Sequence, residues 1–549
     1  MKNIIYISIF LFTFLTFSCS SDDESDNGYE GQGSCNFAES ETELAAQQGR
    51  YILTVVWEYS EWEISTDENG FISDISILSG GKKDSKGRTN ITFNYSVNPL
   101  ASSRSQNIFV TDKSTGKQNK FTLTQRGALQ ATSSITVNPE IRYQQVVGFG
   151  GMYNPVIWLG GNLITTEEIT RMYSPDGLGY NILRLMVYPN ESDWAADVQG
   201  AKLAQQYGAT IFACPWYCPD ALAEKITVNN RQYNHLKKES YQAYTNHLVK
   251  YINYMKDNGV NIYAISVQNE PDMEFTFWYP QEVVDYVKTY GDQIKATGVK
   301  LMSPEACGMQ SEYTDPILND ADAFGKTDII AGHLYQGFID LTNGYVKNRH
   351  DYICGLYNKK LANAGKTWWM TEHLFNDGEN ETNQSLWKFR QWSYNLETLG
   401  KEIHMSMEGY CSAYVYWYLK RFYGMIGDND ERSMSEKGGK TLKNGYIMSH
   451  YAKYVNGRQR IEVSKRENNN DILITAYSGQ SDITLVIINN GKTQDNIKIN
   501  IPAAAKSCGA VQTSANENMF NSDVIFDTDK KSATVGLPAQ SIVSVKFEI

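Results

Sequence analysis

A (β/α)8 barrel standing between two β-sandwiches is the fold the sequence predicts, and three observations predict it. Between about residues 138 and 453, nearly continuous apolar runs alternate with amphipathic segments that end in glycine. That is the pattern of βαβ units whose parallel sheet is covered on both faces. Eight such runs can be counted: around Val147, Ile182 to Val187, Thr210 to Ala213, Ile262 to Val267, Lys300 to Ser303, Ile329 to His333, Thr367 to Thr371 and Ala413 to Tyr416. Eight units over roughly 300 residues suit a closed barrel better than an open doubly wound sheet. On either side, at 35–128 and 454–549, the period shortens to two, with Gly, Asn and Asp between short runs, as antiparallel sandwiches require. The whole chain has 549 residues, 41 % of them hydrophobic and 12 % aromatic, enough to fill more than one core.

The first segment, 1–18, carries one Lys and an apolar run from Ile4 to Phe17, then Ser18 and Cys19. The run is too short to span a bilayer, and with a small residue before a cysteine it looks like a lipoprotein export signal. Lipid on Cys19 would tether the chain; the alternative is plain secretion with Cys19 in the discarded segment. The acidic, Ser-rich stretch 19–34 then serves as a flexible spacer. Segments such as "YILTVVWEYSEWEIS" and "NIFVTDKSTGKQNKFTLTQ" supply the alternation of 35–128, with Trp57 and Trp62 expected in its core. Residues 129–137 are expected to lend a strand to the second sandwich. With Cys19 lipidated, seven scattered cysteines remain of eight, an odd number that is no disulfide framework.

Within the barrel, "ESYQAYTNHLVKYINYMKDNG" places Tyr241, Tyr244, Leu248, Tyr251, Ile252 and Met255 on one helical stripe, with Gly259 positioned to end the helix. "PQEVVDYVKTYGDQIKATG" repeats the arrangement. A net charge of -12 argues against general nucleic-acid binding, which needs a basic face. No glycine-rich phosphate loop opens a helix. No metal is expected, because His333, His373, His404 and His450 form no His–His pair at i,i+4 spacing and Cys214 and Cys218 lack a second ligand pair.

Side chains at the C-terminal ends of barrel strands face the active site. Two acids stand there, Glu270 in "SVQNEPD" and Glu372 in "WWMTEHLF", three βα units apart and therefore on facing sides of the mouth. Hydrolysis of a glycosidic bond needs a proton donor for the leaving oxygen and a second carboxylate for the oxocarbenium-like centre; a separation of about 5 to 5.5 Å gives retention, a wider one inversion. In a retaining scheme one acid starts protonated and the other ionised. Asn269 can donate to a hydroxyl beside the reacting carbon, and Pro271 ends the strand. Glu305, after "LMSP", reads as an orienter behind the pair. Taken singly, each glutamate could be a solvated turn residue.

The ordered set "GFGGM", "YAISVQNEPD", "SPEACG", "DPILNDADA", "DIIAGHLYQG", "WWMTEH", "AYVYWYLKRFYGMI" and "KNGYIMSHYAKYV" resembles glycoside hydrolase family 30, and within it the bacterial glucuronoxylanases of subfamily 8. The resemblance implies a barrel fused to a side β-sandwich, retaining hydrolysis and no cofactor. It implies Glu270 as acid/base and Glu372 as nucleophile, with His333 and Tyr335 beside the nucleophile. Trp216, Trp278 and Trp417 would be faces on which xylose rings stack. Arg421 and Tyr423 would hold the methylglucuronate branch; the alternative is that Arg421 merely pairs with Asp428 or Asp430. Lys420 replaces a common Arg, "PWYCP" brings an unexpected Cys218, and the loops "HLFNDGENETNQSLW" and "NDERSMSEKGGKTL" depart from the subfamily, so the rim differs while the acid pair does not.

Residues 35–128 resemble the BACON domain, an immunoglobulin-like module found before enzymes in exported Bacteroidetes proteins, through "WEYSEWEIS", "NPLASSRSQNIFVTD" and "FTLTQRG". The expectation is an exported retaining endo-β-1,4-xylanase acting on glucuronoxylan, lipid-anchored to the bacterial envelope at the outer membrane or cell surface. The alternatives are a relative acting on undecorated xylan or another β-glycan, and a non-catalytic glycan-binding lipoprotein.

Overall fold

The computed structural model describes residues 33–100, 102–156, 164–309, 311–335, 339–340, 344–345, 347–375, 391–429, 438–464, 471–527 and 529–549. The export segment, most of the spacer and Cys19 lie outside the described residues, as does Asp430. The chain divides into two compact units, one ending at Arg126 and one running essentially from Gly127 to Ile549.

The first unit is β-rich. Its strands hydrogen-bond along one path, Glu41–Leu44, Gln118–Gln125, Arg104–Asp112, Gly49–Thr66, Ser79–Tyr95 and Ile72–Ser73, with Ser34–Phe37 paired to Gly49–Thr66. Alternation does what a half-buried strand demands: along Arg104–Asp112 every second residue from Gln106 onward is buried. Val55, Trp62, Ile91, Phe93, Ile108, Val110, Phe121 and Leu123 make a separate core. Trp62 is wholly within it, while Trp57 is partly buried with its indole N–H on Thr89.

In the second unit eight parallel strands close on themselves: β1 Gly148–Met152, β2 Ile182–Val187, β3 Thr210–Pro215, β4 Ile262–Ser266, β5 Lys300–Ala306, β6 Ile329–Gly332, β7 Thr367–Met370 and β8 Cys411–Tyr416. Nearly every strand residue is buried, as expected where helices cover the outside and side chains fill the inside. Ile182, Phe212, Ala264, Met302, Ala331, Trp369, Ala413 and Val415 form the inner plug. In β1 a Cβ on Gly150 would stand 1.8 Å from the Ile182 carbonyl, so only glycine lets β1 and β2 meet.

The helix over Tyr241–Asp257 buries the whole stripe read from its spacing, and Gly259 follows at φ +81°. Between β3 and that helix lies a hairpin, Ala223–Val228 with Arg231–Leu236, whose turn residues Asn229 and Asn230 both have positive φ. Asn-Asn suits such a two-residue turn because Asn tolerates the left-handed region.

Ten strands make the side sheet, in the order Phe520–Asn521, Ser507–Thr513, Ser541–Glu548, Asp482–Asn489, Ile472–Ser478, Gln459–Val463, Ser133–Gln145, Asp495–Asn500, Ser532–Leu537 and Val524–Phe526. The strand that precedes the barrel in sequence sits between strands that follow it, and it runs to Gln145, well past the 129–137 expected; the first barrel strand begins at Gly148, as the run around Val147 predicts. The helix Lys443–Tyr454 lies between sheet and barrel. There His450 bridges Ser544 (2.8 Å) and Thr513 (2.9 Å), and burial drives its pKa down to about 3, so it packs as a neutral ring. None of the seven described cysteines is in a disulfide, and no helix among the described residues is long and apolar enough to cross a membrane.

Candidate active site

Period-two alternation along β2 turns Arg184 to the same inward side as Ile182, one layer nearer the mouth. A guanidinium in a fully buried strand must be paired, and Arg184 is paired several times over. Its Nη1 donates to Glu372 Oε2; its Nη2 reaches Asn269 Oδ1 (2.6 Å), Glu305 Oε1 (3.0 Å) and Cys214 Sγ (3.1 Å). Trp216 lies 4.5 Å from the guanidinium carbon, a cation–π contact. Burial works against this charge, yet Cys214, Glu305 and Glu372 together raise the Arg184 pKa.

β4 ends at Ser266, and Val267 to Glu270 carry the chain across the mouth. The Asn269 N–H donates to the Pro215 carbonyl (2.8 Å) and the Glu270 N–H to the Glu305 carbonyl (3.0 Å), tying the β4 exit to β3 and β5. Glu270 and Glu305 adopt φ of +45° and +62°, where a side chain costs about 1 to 2 kcal/mol. The cross-ties hold both in that unfavourable region and aim their carboxyls inward.

The carboxyls of Glu270 and Glu372 meet: one oxygen of each, with a His333 ring nitrogen, all lie within 4.8 Å of one another. His333 Nδ1 is 2.9 Å from Glu270 Oε1, and its Nε2 is 3.7 Å from Glu305 and 4.0 Å from Glu372. His333 lies beside Glu372, and its hydrogen bond goes to Glu270. Tyr335 donates to Glu372 Oε1 at 2.6 Å and rests its edge on His373, which in turn contacts Glu402 at 2.6 Å. Burial, then the charges of Glu372 and Glu270, push the Tyr335 hydroxyl far up, so it stays a donor.

Burial opposes charge on His333, but Glu372, Glu270 and Glu305 raise its pKa to about 9. Glu305, despite burial, is brought down to about 2 by Arg184 and His333. The signs follow from linkage. A raised histidine contributes stability fully below its unfolded value of 6.5 and loses it as pH climbs to about 9. A depressed glutamate contributes above 4.5 and loses it as pH falls to about 2. Each contribution is on the order of 3 kcal/mol. Melting temperature should therefore be highest between those two unfolded values and fall toward alkaline pH, and His333→Asn should flatten the alkaline slope. An unchanged slope in the variant would contradict the assignment.

Glu270, His333 and Glu372 are the one group of metal-ligand type within coordinating reach among the described residues. They do not fit a cation: the Arg184 charge already lies on Glu372, and Glu270 is already bonded to His333.

Trp216 and Trp417 pair at the mouth (5.7 Å), and Tyr423 lies near Trp417, Arg421 and Glu372. Trp216 is itself only 2 % exposed, its ring covered by the Arg184 guanidinium, so it backs the charge cluster and not a sugar, while Trp417 is 7 % exposed. Trp278 is 1 % exposed, with Tyr241 (5.2 Å), Tyr244 (6.0 Å) and Tyr286 (5.2 Å) against it, and its carbonyl accepts from Tyr313. It is a core residue and offers no sugar a face. Arg421 Nε is 3.5 Å from Asp428, which realises half of the simple ion-pair alternative; the Asp430 half lies outside the described residues. Most of the two departing loops is also outside them. Arg184 was missed from sequence, although a lone Arg in "NILRLMVYP" was the available signal.

The Glycosyl hydrolase family 30 TIM-barrel domain matches residues 170–357. A glucuronoxylanase of Bacillus subtilis (strain 168) is 35 % identical over 368 residues, 66 % of this chain and 79 % of that protein. Among solved structures, a family 30 endoxylanase from Clostridium papyrosolvens superposes with a TM-score of 0.65 at 31 % identity, covering 76 % of this chain and all of that one. A subfamily 8 xylanase from Clostridium acetobutylicum gives 0.63 at 27 % identity with the same coverages. With buried carboxyls converging at the mouth of a closed eight-stranded barrel and relatives at these identities over most of their length, the chain belongs to glycoside hydrolase family 30 and is an enzyme of the glycoside hydrolase type.

Proposed function

We propose that the protein is a retaining endo-β-1,4-xylanase that cuts glucuronoxylan beside (methyl)glucuronate branches. The observation that carries the reading is the convergence of Glu270 and Glu372, which bring one carboxyl oxygen each to within 4.8 Å, close to the roughly 5 to 5.5 Å of a retaining pair and short of the roughly 6.5 to 9.5 Å of an inverting one. In this reading Glu372 attacks the anomeric carbon while Glu270 gives its proton to the departing glycosidic oxygen. Water, deprotonated by Glu270, then releases the sugar from Glu372. Arg184 and Tyr335 hold Glu372 by one oxygen each, so the nucleophile cannot rotate away from the sugar. Arg184 also fixes the Asn269 amide by bonding its oxygen, which turns Nδ2 into the cleft; that buried donor meets no acceptor among the described residues and suits a hydroxyl beside the reacting carbon. Trp417 supplies an apolar face, and Arg421 with Tyr423 receives the branch carboxylate. The names of the relatives, glucuronoxylanase and endoxylanase, support the substrate class.

The Arg421–Asp428 contact favours a second reading, a hydrolase of undecorated xylan or another β-glycan in which Arg421 only shapes the rim. Digestion of glucuronoxylan and of linear xylooligosaccharides, with products weighed by mass spectrometry, separates the two. One uronate on every product supports the first; equal cutting of undecorated chains sinks it. Arg421→Ala should lower kcat/KM on glucuronoxylan by roughly 10- to 100-fold, the worth of a bidentate charged pair, at an unchanged melting temperature. In the same proposal the segment through Cys19 exports and lipid-anchors the enzyme at the bacterial envelope, and the first unit is a BACON-like, immunoglobulin-like spacer. Palmitate labelling lost in Cys19→Ala would test the anchor. A binding protein without turnover would not need two converging carboxyls.

A further inference from the structure

The segment that carries Arg421 is itself held by a second, separate charge pair. Lys420 Nζ lies 3.0 Å from Glu168 Oε2, with both side chains largely buried. Glu168 stands in the first turn of the helix Thr166–Tyr173, which packs beside the barrel after β1. The same Oε2 accepts the Thr165 N–H (2.9 Å), while the Glu168 N–H returns to Thr165 Oγ1 (3.2 Å), a capping box that leaves the carboxylate no rotational freedom. Its other oxygen faces Gly439, where a Cβ would come to 2.4 Å. From the same helix, Arg171 donates to the Gly439 carbonyl.

Both ends of the last barrel loop converge on this point. The Arg421 N–H donates to the Ile426 carbonyl (3.1 Å), Met425 and Ile426 both donate to Leu419 (3.0 Å each), and Gly427 and Gly439 to 440 form a short backbone ladder through Gly439 N–H to Gly427 (2.9 Å) and Gly427 N–H to Lys440 (3.0 Å). The turn 419–426 is thus tied within itself and, through the Tyr423 carbonyl, to Tyr416 (2.9 Å) and Asn444 (2.9 Å), while Lys420 and Gly439 anchor its other side to the helix Thr166–Tyr173.

We propose that the Glu168–Lys420 pair is a positioning device: it fixes the Arg421–Tyr423 turn over the cleft and so sets selectivity for an acidic branch without touching substrate. This rests on the reading that Arg421 receives a carboxylate. A half-exposed arginine on a loose turn would waste its binding energy on ordering, whereas a turn clamped beforehand does not.

Lys420→Met, Lys420→Arg and Glu168→Gln are to be compared on glucuronoxylan and on linear xylooligosaccharides, each also in the Arg421→Ala background. Lys420→Met should raise KM for glucuronoxylan about tenfold while kcat, and kcat/KM on linear oligomers, stay within about twofold. Lys420→Arg should restore the parent KM, and Glu168→Gln should act like Lys420→Met but more weakly, since the amide still caps the helix. In the Arg421→Ala background Lys420→Met should add nothing, because there is no longer a guanidinium to place. Equal losses on both substrates, no loss on either, or full additivity with Arg421→Ala would each overturn the proposal. If Arg421→Ala alone leaves the preference for glucuronoxylan intact, the branch-site reading itself has failed and the positioning role falls with it.

Discussion

Glu372→Gln is expected to fold and to turn over xylan more than about 10,000-fold more slowly than the parent, since a nucleophile that acts as part of a unit takes most of the catalysis with it. The amide keeps the shape of the carboxylate: its oxygen can still accept from Arg184 while its NH2 donates to the Tyr335 oxygen, so the loss reports chemistry and not collapse. Glu270→Ala is expected to behave differently. On natural xylan, whose leaving group needs a proton, it should lose about 100- to 10,000-fold. On an aryl xyloside with a good leaving group the first step should survive, and azide should restore turnover and give the β-glycosyl azide. Azide with Glu372→Ala should instead give the α-anomer. If Glu372→Gln kept even a few per cent of parental activity, or if azide rescue produced the opposite anomers, the assignment of the two roles would be wrong.

Arg184→Met should cost about 3 to 5 kcal/mol of folding stability, read by denaturant titration, because it removes the cation from a fully buried cluster and leaves Glu305 and Glu372 without it. Adding Glu305→Gln should recover part of that loss, since the pair is one unit and its deletions do not add. Arg184→Lys would keep the charge but not the fork that reaches Glu372, Glu305 and Asn269 together, so it should fold better than Arg184→Met and still be slow. A fully stable Arg184→Met would mean that the carboxyls there are neutral and that the charge network is not what shapes the site.

The reading from sequence succeeded where the signal is local. The strands at Ile182–Val187 and the helix stripe from Tyr241 to Met255 follow from periodicity alone, because a covered parallel strand is apolar throughout and a surface helix shows one apolar face. It failed where local signals are ambiguous. Trp216 and Trp278 look alike as tryptophans near strand ends, yet one lies against Arg184 in the cleft and the other is packed among Tyr241, Tyr244 and Tyr286. The hairpin turned by Asn229 and Asn230 was legible in principle, but an alternating pattern there competes with the apolar runs around it. For His333 the place at the end of β6, beside Glu372, was evident, but which carboxyl it bonds depends on the twist of the closed sheet.

What the linear chain determined by itself was the order of its parts: sheet, barrel, sheet, and the two acids at the ends of the fourth and seventh barrel strands. Strand and helix periods are set by neighbouring residues, and three units of eight place two strand ends opposite each other whatever fills the centre. Closure of the barrel decided the rest: that Arg184 from β2 joins Glu305 and Glu372, that the strand Ser133–Gln145 slots among strands hundreds of residues later, and that Lys420 finds Glu168. Those are contacts between residues far apart along the chain, and no local periodicity records which distant partner a buried charge will find.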